Sequence, residues 1–315
     1  RRVDGTPKVI ARLATVEASP QPTLSPHKTS SEQQARSFSP LPTIDLTIDD
    51  LRIAETSMGI LDLTLEPIDG VSQGQLTLRG QTHDLSAGLV ENGQENTANS
   101  QVEFALQTED AGLFLQQIGF ESMLRRGQGE LTGELSWSDR LSAPDVPSLA
   151  GQISVNLSDG SLPAVEPGAG RAIGLFSLSV LPRRLGLDFS DVVGAGLRFD
   201  QLTGAWEIDR GVMTTEQFQL GGPSLDLTLT GTNDLVKREY DQQVVVIPRV
   251  SSTFALLGGL AGGPAAAALL FLTQGMLEPG ISRLTRIEYA IQGPWTEPEF
   301  HLLDSEGVME DEQNE

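Results

Sequence analysis

The chain has 315 residues, enough for one or two domains, and carries 43 acidic against 21 basic side chains, a formal net charge of −22. That balance excludes a nucleic-acid surface, which needs clustered Lys and Arg, and argues against tight docking on anionic headgroups through a polybasic patch. With no cysteine there is no disulfide framework or thiolate chemistry, and 33 glycines beside 5% aromatics favour extended β-structure over a compact aromatic-rich enzyme core.

The N-terminal run RRVDGTPKVIARLATVEASP has no apolar segment of the kind a secretory signal needs, and no initiator Met. The chain therefore reads as the C-terminal portion of something longer, with any membrane anchor upstream. Glu17–Pro42 is rich in Ser, Pro, Gln and Thr, so residues 1–42 are expected to form a disordered or extended linker.

From Thr43 the pattern changes to period two. Ile44, Leu46 and Ile48 alternate with Asp45, Thr47 and Asp49, and Leu61, Leu63 and Leu65 alternate with Asp62, Thr64 and Glu66. Val102–Leu106, Leu131–Trp137 and Ile153–Leu157 continue the series. Such alternation predicts strands with one apolar and one solvated face. Turns are expected at Asp69-Gly70, Asn92-Gly93, Asp159-Gly160 and Gly221-Gly222-Pro223, giving an antiparallel meander. Later strands are expected near 185–189, 196–208, 212–220, 224–231, 240–247, 286–292 and 298–302, about 12–14 in all. Short helices are expected over 108–120 and 168–181, the latter ended by Pro182.

Phe254–Leu272 (FALLGGLAGGPAAAALLFL) contains no polar side chain, and the uncharged run extends from Val250 to Leu277. It is long enough for a transmembrane helix, but four glycines and Pro264 interrupt it. Two further readings are a plain core helix and a broken helix whose second half opens at Pro264. The broken form over about 252–278 would cap the sheet or lie in a bilayer interface, presenting Phe254, Leu256, Leu257, Leu269, Leu272 and Met276.

No catalytic constellation accompanies these elements. His27, His83 and His301 are isolated in a linker, a loop and a terminal strand, and none of the common hydrolase, nucleotide or calcium motifs is present. No metal and no cofactor is expected. Arg125-Arg126, Arg183-Arg184 and Lys237-Arg238 are basic pairs, read as solvated charge at element ends or as contacts to a lipid phosphate.

The run EPGAGRAIGLFSLSVLPRRLGLDFSDVV at 166–193 resembles the C-terminal region of the AsmA-like superfamily, specifically its YhdP branch. The likeness continues through GLRFDQLTGAWEIDRGVMTTEQFQLGG to RIEYAIQGPWTEPEF, and earlier through TIDLTIDDLRI, covering roughly Thr43 to Phe300. That resemblance implies a mainly β fold: a long twisted antiparallel sheet curled into an open apolar groove, with a few short helices. It implies a periplasmic protein of a Gram-negative envelope, anchored in the inner membrane by an N-terminal helix absent here. The implied activity is non-enzymatic phospholipid transport between inner and outer membranes, with acyl chains in the groove and headgroups in water. This chain would be the outer-membrane-proximal end.

On that reading 43–165 is a β-rich groove segment, 166–303 the C-terminal groove and 304–315 an acidic tail. Leu197, Phe199, Trp206, Ile208, Phe218, Leu220, Leu225, Leu227 and Leu229 are the candidate groove lining by alternation, and equally candidates for ordinary core. Arg183 and Arg184 are the headgroup candidates. Expected partners are phospholipids, the outer membrane and envelope proteins, with no nucleic acid. The alternatives are a periplasmic scaffold that assembles outer-membrane proteins by strand addition, and a carbohydrate-acting β-solenoid, which lacks a clustered acid/base pair.

Overall fold

A computed structural model describes residues 2–3, 6–18, 41–53, 55–94, 97–120, 123–163, 197–249 and 286–303. Sixteen strands form one sheet. They are β1 (Arg2–Val3), β2 (Thr6–Leu13), β3 (Val16–Ala18), β4 (Thr43–Ile53), β5 (Thr56–Ile68), β6 (Val71–Arg79), β7 (His83–Gln94) and β8 (Thr97–Thr108). After the helix α1 (Ala111–Gln117) come β9 (Arg125–Trp137), β10 (Ala150–Leu162), β11 (Leu197–Asp209), β12 (Val212–Gly221), β13 (Leu225–Asp234), β14 (Glu239–Pro248), β15 (Ile287–Pro294) and β16 (Glu299–Leu303). Strands neighbour one another in chain order, except that β3 sits beside β4 off the main path. The first and last strands do not pair, so the curled sheet is open among the described residues.

From β4 onward every pairing is antiparallel, as the polar turns predict. The sheet nevertheless begins earlier than the linker composition implies. Thr6–Leu13 is a strand, and β2 and β3 pair parallel to β4. Parallel pairing needs a crossover, and the chain between Ala18 and Thr43 supplies its length. Residues 19–40, which carry the Ser/Pro-rich run, lie outside the described residues.

Local chemistry sets the turns. Asp69 and Gly70 both take positive φ, 51° and 85°, in the two-residue hairpin between β5 and β6. Asn92-Gly93, expected as a turn, instead lies inside β7, where Asn92 pairs with Asn99 and Gly93 with Ala98. Asp159-Gly160 also fails to turn. Asp159 adopts φ 57° within β10 and kinks it, so that Leu157 before the kink and Leu162 after it reach one core. Arg210-Gly211, in the gap expected between the strands at 196–208 and 212–220, forms a turn at φ 48° and 73°.

Asp110 caps α1 by accepting from Leu113 N at 2.9 Å. Phe114 of the helix packs with Met58, Leu78 and Leu106, so α1 lies against one end of the strands. The expected helix at 108–120 is therefore present in shortened form, while the expected helices at 168–181 and 252–278 fall outside the described residues. No described helix is long and apolar enough to cross a membrane.

Candidate functional site

Register turns the alternation of single strands into continuous rows across the sheet. One row runs Leu46, Leu63, Leu76, Ala87, Phe104, Gly133, Ile153, Trp206, each residue directly opposite the next. A parallel row runs Ile44, Leu65, Gly74, Leu89, Val102, Leu135, Gly151, Ile208. Directly opposed residues share a face, so these rows make a single apolar surface. The rows between them carry the other character: Thr64, Gln75, Gly88, Glu103, Glu134, Gln152 and Glu207 lie on the solvated face.

Two structures wall the apolar surface. At one end of the strands α1 covers Leu78 and Leu106. At the other end a strap, residues 138–149, crosses the sheet and is held by polar side chains that replace leucine in the last row. Glu91 is fully buried there; it accepts from Leu141 N at 2.9 Å and from Arg140 Nη1 at 3.4 Å. Ser100 donates to Asp139 O at 2.7 Å, and Trp137 Nε1 donates to Arg140 O at 2.9 Å. A buried carboxylate is tolerated only when it is paired and hydrogen-bonded, and the strap is what satisfies Glu91. The same edge is laced onward by Gly211 N to Leu149 O (2.9 Å), Leu235 N to Gly211 O (2.9 Å) and Trp295 N to Arg238 O (2.8 Å).

Between the walls the surface is a trough. From Ser72 in the strap row to Leu78 in the helix row is six residues along β6, about 20 Å. From β4 to β10 the floor spans six strand spacings, about 29 Å. Its side chains, including Leu46, Leu63, Leu76, Val102, Phe104, Leu135 and Ile153, are half-buried rather than sealed. Gly133 keeps this floor low. A Cβ there would come within 2.7 Å of Phe104 Cζ, so the missing side chain is what lets the ring lie down across β9. Hollows on the opposite side, one of about 900 Å³ lined by Gln107, Gln128, Glu130, Asn156 and Gln201, are polar furrows between twisted strands.

The nine predicted lining residues all lie on the apolar face, and the structure brings them together beyond β10. Leu197, Phe199, Trp206, Ile208, Phe218, Leu220, Leu225, Leu227 and Leu229 belong to one cluster and are each at most 7% exposed. Trp206 and Phe218 pack with tilted rings, centroids 5.8 Å apart. Here the face is closed. The half-open stretch is formed by earlier strands, and its signal was the same alternation in Ile44–Ile48, Leu61–Leu65 and Val102–Leu106. The predicted interface residues Phe254, Leu256, Leu257, Leu269, Leu272 and Met276, and Arg183 and Arg184, lie outside the described residues. The chain leaves the sheet for both of those segments, and returns, at the α1 end of the strands.

His83 is not in a loop. It opens β7, is buried against Phe114 at 5.0 Å between ring centroids, and lies 3.0 Å by Nε2 from Met58 O, so Nε2 carries the donated proton. Burial pushes the imidazole below its ordinary value of 6.5, against the opposing pull of the Met58 carbonyl and Asp84. Its Nδ1 has no hydrogen-bond partner. Among the described residues no group of His, Asp and Glu side chains is arranged to hold a metal ion.

A family model described as YhdP protein matches residues 4–300. The chain belongs to the YhdP family. The match begins well before Thr43, in keeping with β2 and β3 being part of the sheet. Over 245 residues the chain is 26% identical to the intermembrane phospholipid transporter YhdP of Escherichia coli (strain K12). That alignment takes in 74% of this chain but spans only 19% of the E. coli protein. No solved structure matches the chain. The described residues of this chain form one long, open, curled layer with one apolar face.

Proposed function

We propose that this chain is a non-enzymatic carrier of phospholipid acyl chains in the periplasm of a Gram-negative envelope, at the outer-membrane-proximal end of a longer lipid-carrying sheet. The observation that carries the reading is the apolar trough over β4–β10, left half-open between α1 and the strap. Apolar surface is stabilised by about 25 cal/mol per Å² when removed from water, so a trough of this composition favours an apolar occupant. The printed activity of the E. coli relative supports phospholipid as that occupant. Headgroups stay in water beyond the walls.

The buried residues from Leu197 to Leu229 continue the same face, and we read them as lining that opens when cargo passes β10. Arg183 and Arg184 remain headgroup candidates, and Phe254–Met276 the segment that engages a membrane. Deleting 254–276 is expected to leave the sheet folded and abolish membrane engagement; global unfolding would favour a core helix instead.

Native mass spectrometry after gentle purification tests the carrier reading. Co-purifying phospholipid is the expected result, and an empty protein would count against it. A photoreactive residue at Leu63 should crosslink to lipid while one at Thr64, on the solvated face, should not. Crosslinks to protein alone at both positions would favour the scaffold role.

A further inference from the structure

The half-open floor stops at a step between β10 and β11. Ile153 and Val155 of β10 are half-buried, while Trp206 and Gly204, directly opposite them, are buried. Toward α1 the floor is already closed at Leu157. Gly204 presents no side chain to the apolar face, and the indole of Trp206 lies back along its own strand to fill that space. A Cβ on Gly204 would come within 2.5 Å of Trp206 Cη2 and 3.0 Å of Phe218 Cδ2. The two aromatic rings, tilted against each other, close the floor at this point.

The ladder that carries this aromatic pair is interrupted. Between the Thr203–Gln219 and Glu207–Thr214 pairs β12 carries one residue more than β11. Between Thr215–Gly231 and Phe218–Leu229 it likewise carries one more than β13. Such a bulge breaks the ladder and re-aims the side chains beside it. Glu216 and Gln217, at the bulge, are exposed, and Ala205 O accepts from Thr215 Oγ1 at 2.7 Å. Deeper in the sealed half, β13 and β14 pair without a break from Leu225 to Asp234. The one step in the floor thus coincides with a break in strand pairing.

We infer that Trp206, seated over Gly204 and against Phe218, is the gate through which acyl chains pass from the trough into the sealed half of the face. The inference rests on the carrier reading above and names the side chain that controls passage beyond β10. An indole turns about two side-chain torsions without any change of strand pairing. An acyl chain that takes its place keeps Phe218 covered by apolar surface, so opening in the presence of lipid exposes little to water.

The test uses the full chain with photo-leucine in place of leucine, loaded from vesicles of phosphatidylethanolamine and phosphatidylglycerol and then irradiated. Lipid adducts are mapped by mass spectrometry. Leu61, Leu63 and Leu65 report the trough, and Leu225, Leu227 and Leu229 the sealed half. In the wild type the adducts are expected mainly in the trough. Trp206→Ala should raise the ratio of sealed-half to trough adducts about fivefold, the share of the closure that a ring–ring contact carries. Gly204→Ala, whose added methyl occupies the seat of the indole, should raise the ratio too and serves if Trp206→Ala does not fold. Ile291→Ala loosens the sealed half away from the gate and should leave the ratio unchanged. No rise in either gate variant, or an equal rise in Ile291→Ala, overturns the gate and leaves the trough intact. Wild-type adducts equally frequent in the two segments also overturn it. Adducts in neither segment overturn the carrier reading and the gate with it.

Discussion

The apolar face is continuous, yet its two halves behave differently. Over β4–β10 most of its floor side chains are half-buried, Leu65 at 3% exposure being sealed, and small residues such as Gly74, Ala87 and Gly133 recur along the rows. Over β11–β15 the same face is sealed, with Phe218, Leu220, Val244, Val246 and Ile291 at 0–1% exposure. Alternation is equally clean in both. What differs is the bulk that each row presents, because large side chains opposed to large ones fill the space above the sheet and small ones leave it open. One sequence pattern thus builds both a trough and a core.

The largest test of this contrast is truncation of an aromatic ring in each half. Phe218→Ala should cost about 4 kcal/mol, since the ring is sealed and leaves a cavity. Phe104→Ala should cost about 1–2 kcal/mol, because its half-exposed ring gives up less buried area. Urea denaturation reads both, and equal losses would erase the distinction between trough and core. Next in size is the strap. Glu91→Ala removes the acceptor of Leu141 N and the partner of Arg140. The expected loss is about 3 kcal/mol. Glu91→Gln keeps an acceptor and should lose less, and protease nicking within 138–149 should rise in step with the lost stability.

The smallest effect is expected at the other wall. His83 has a folded-state value below its unfolded one, so the unfolded chain takes up protons that the folded chain refuses. Its contribution is complete above the unfolded value of about 6.5 and is lost as pH falls below it. Melting temperature should therefore drop between pH 7 and 5 by more in the wild type than in His83→Leu. An identical pH profile in the two would mean that the imidazole does not anchor the α1 contact.

Much of the fold was legible because side-chain direction in a strand has period two, and Ile44–Ile48 or Leu225–Leu229 can be read without coordinates. The start of α1 was legible in the Thr108–Asp110 capping residues. Legibility failed where backbone conformation, not polarity, decides. Asp159-Gly160 looks like a hairpin turn but kinks a strand, and Asn92-Gly93 looks like one but lies within β7. Of the site, the chemistry of the face was readable, while its closure beyond β10 was not, because burial depends on which rows are opposed. The strap was invisible for the same reason: Glu91 reads as one more acidic residue until Ser72, Ser100 and Trp137 are placed beside it in the register.

Sequence by itself determined that this chain forms one-faced strands in series, without cysteine and with a net charge of −22. These follow from residue type and spacing, which act locally. Only the tertiary structure decided that the strands share one face and where that face is open. Those are properties of register and curl, set by pairings between residues far apart in the chain.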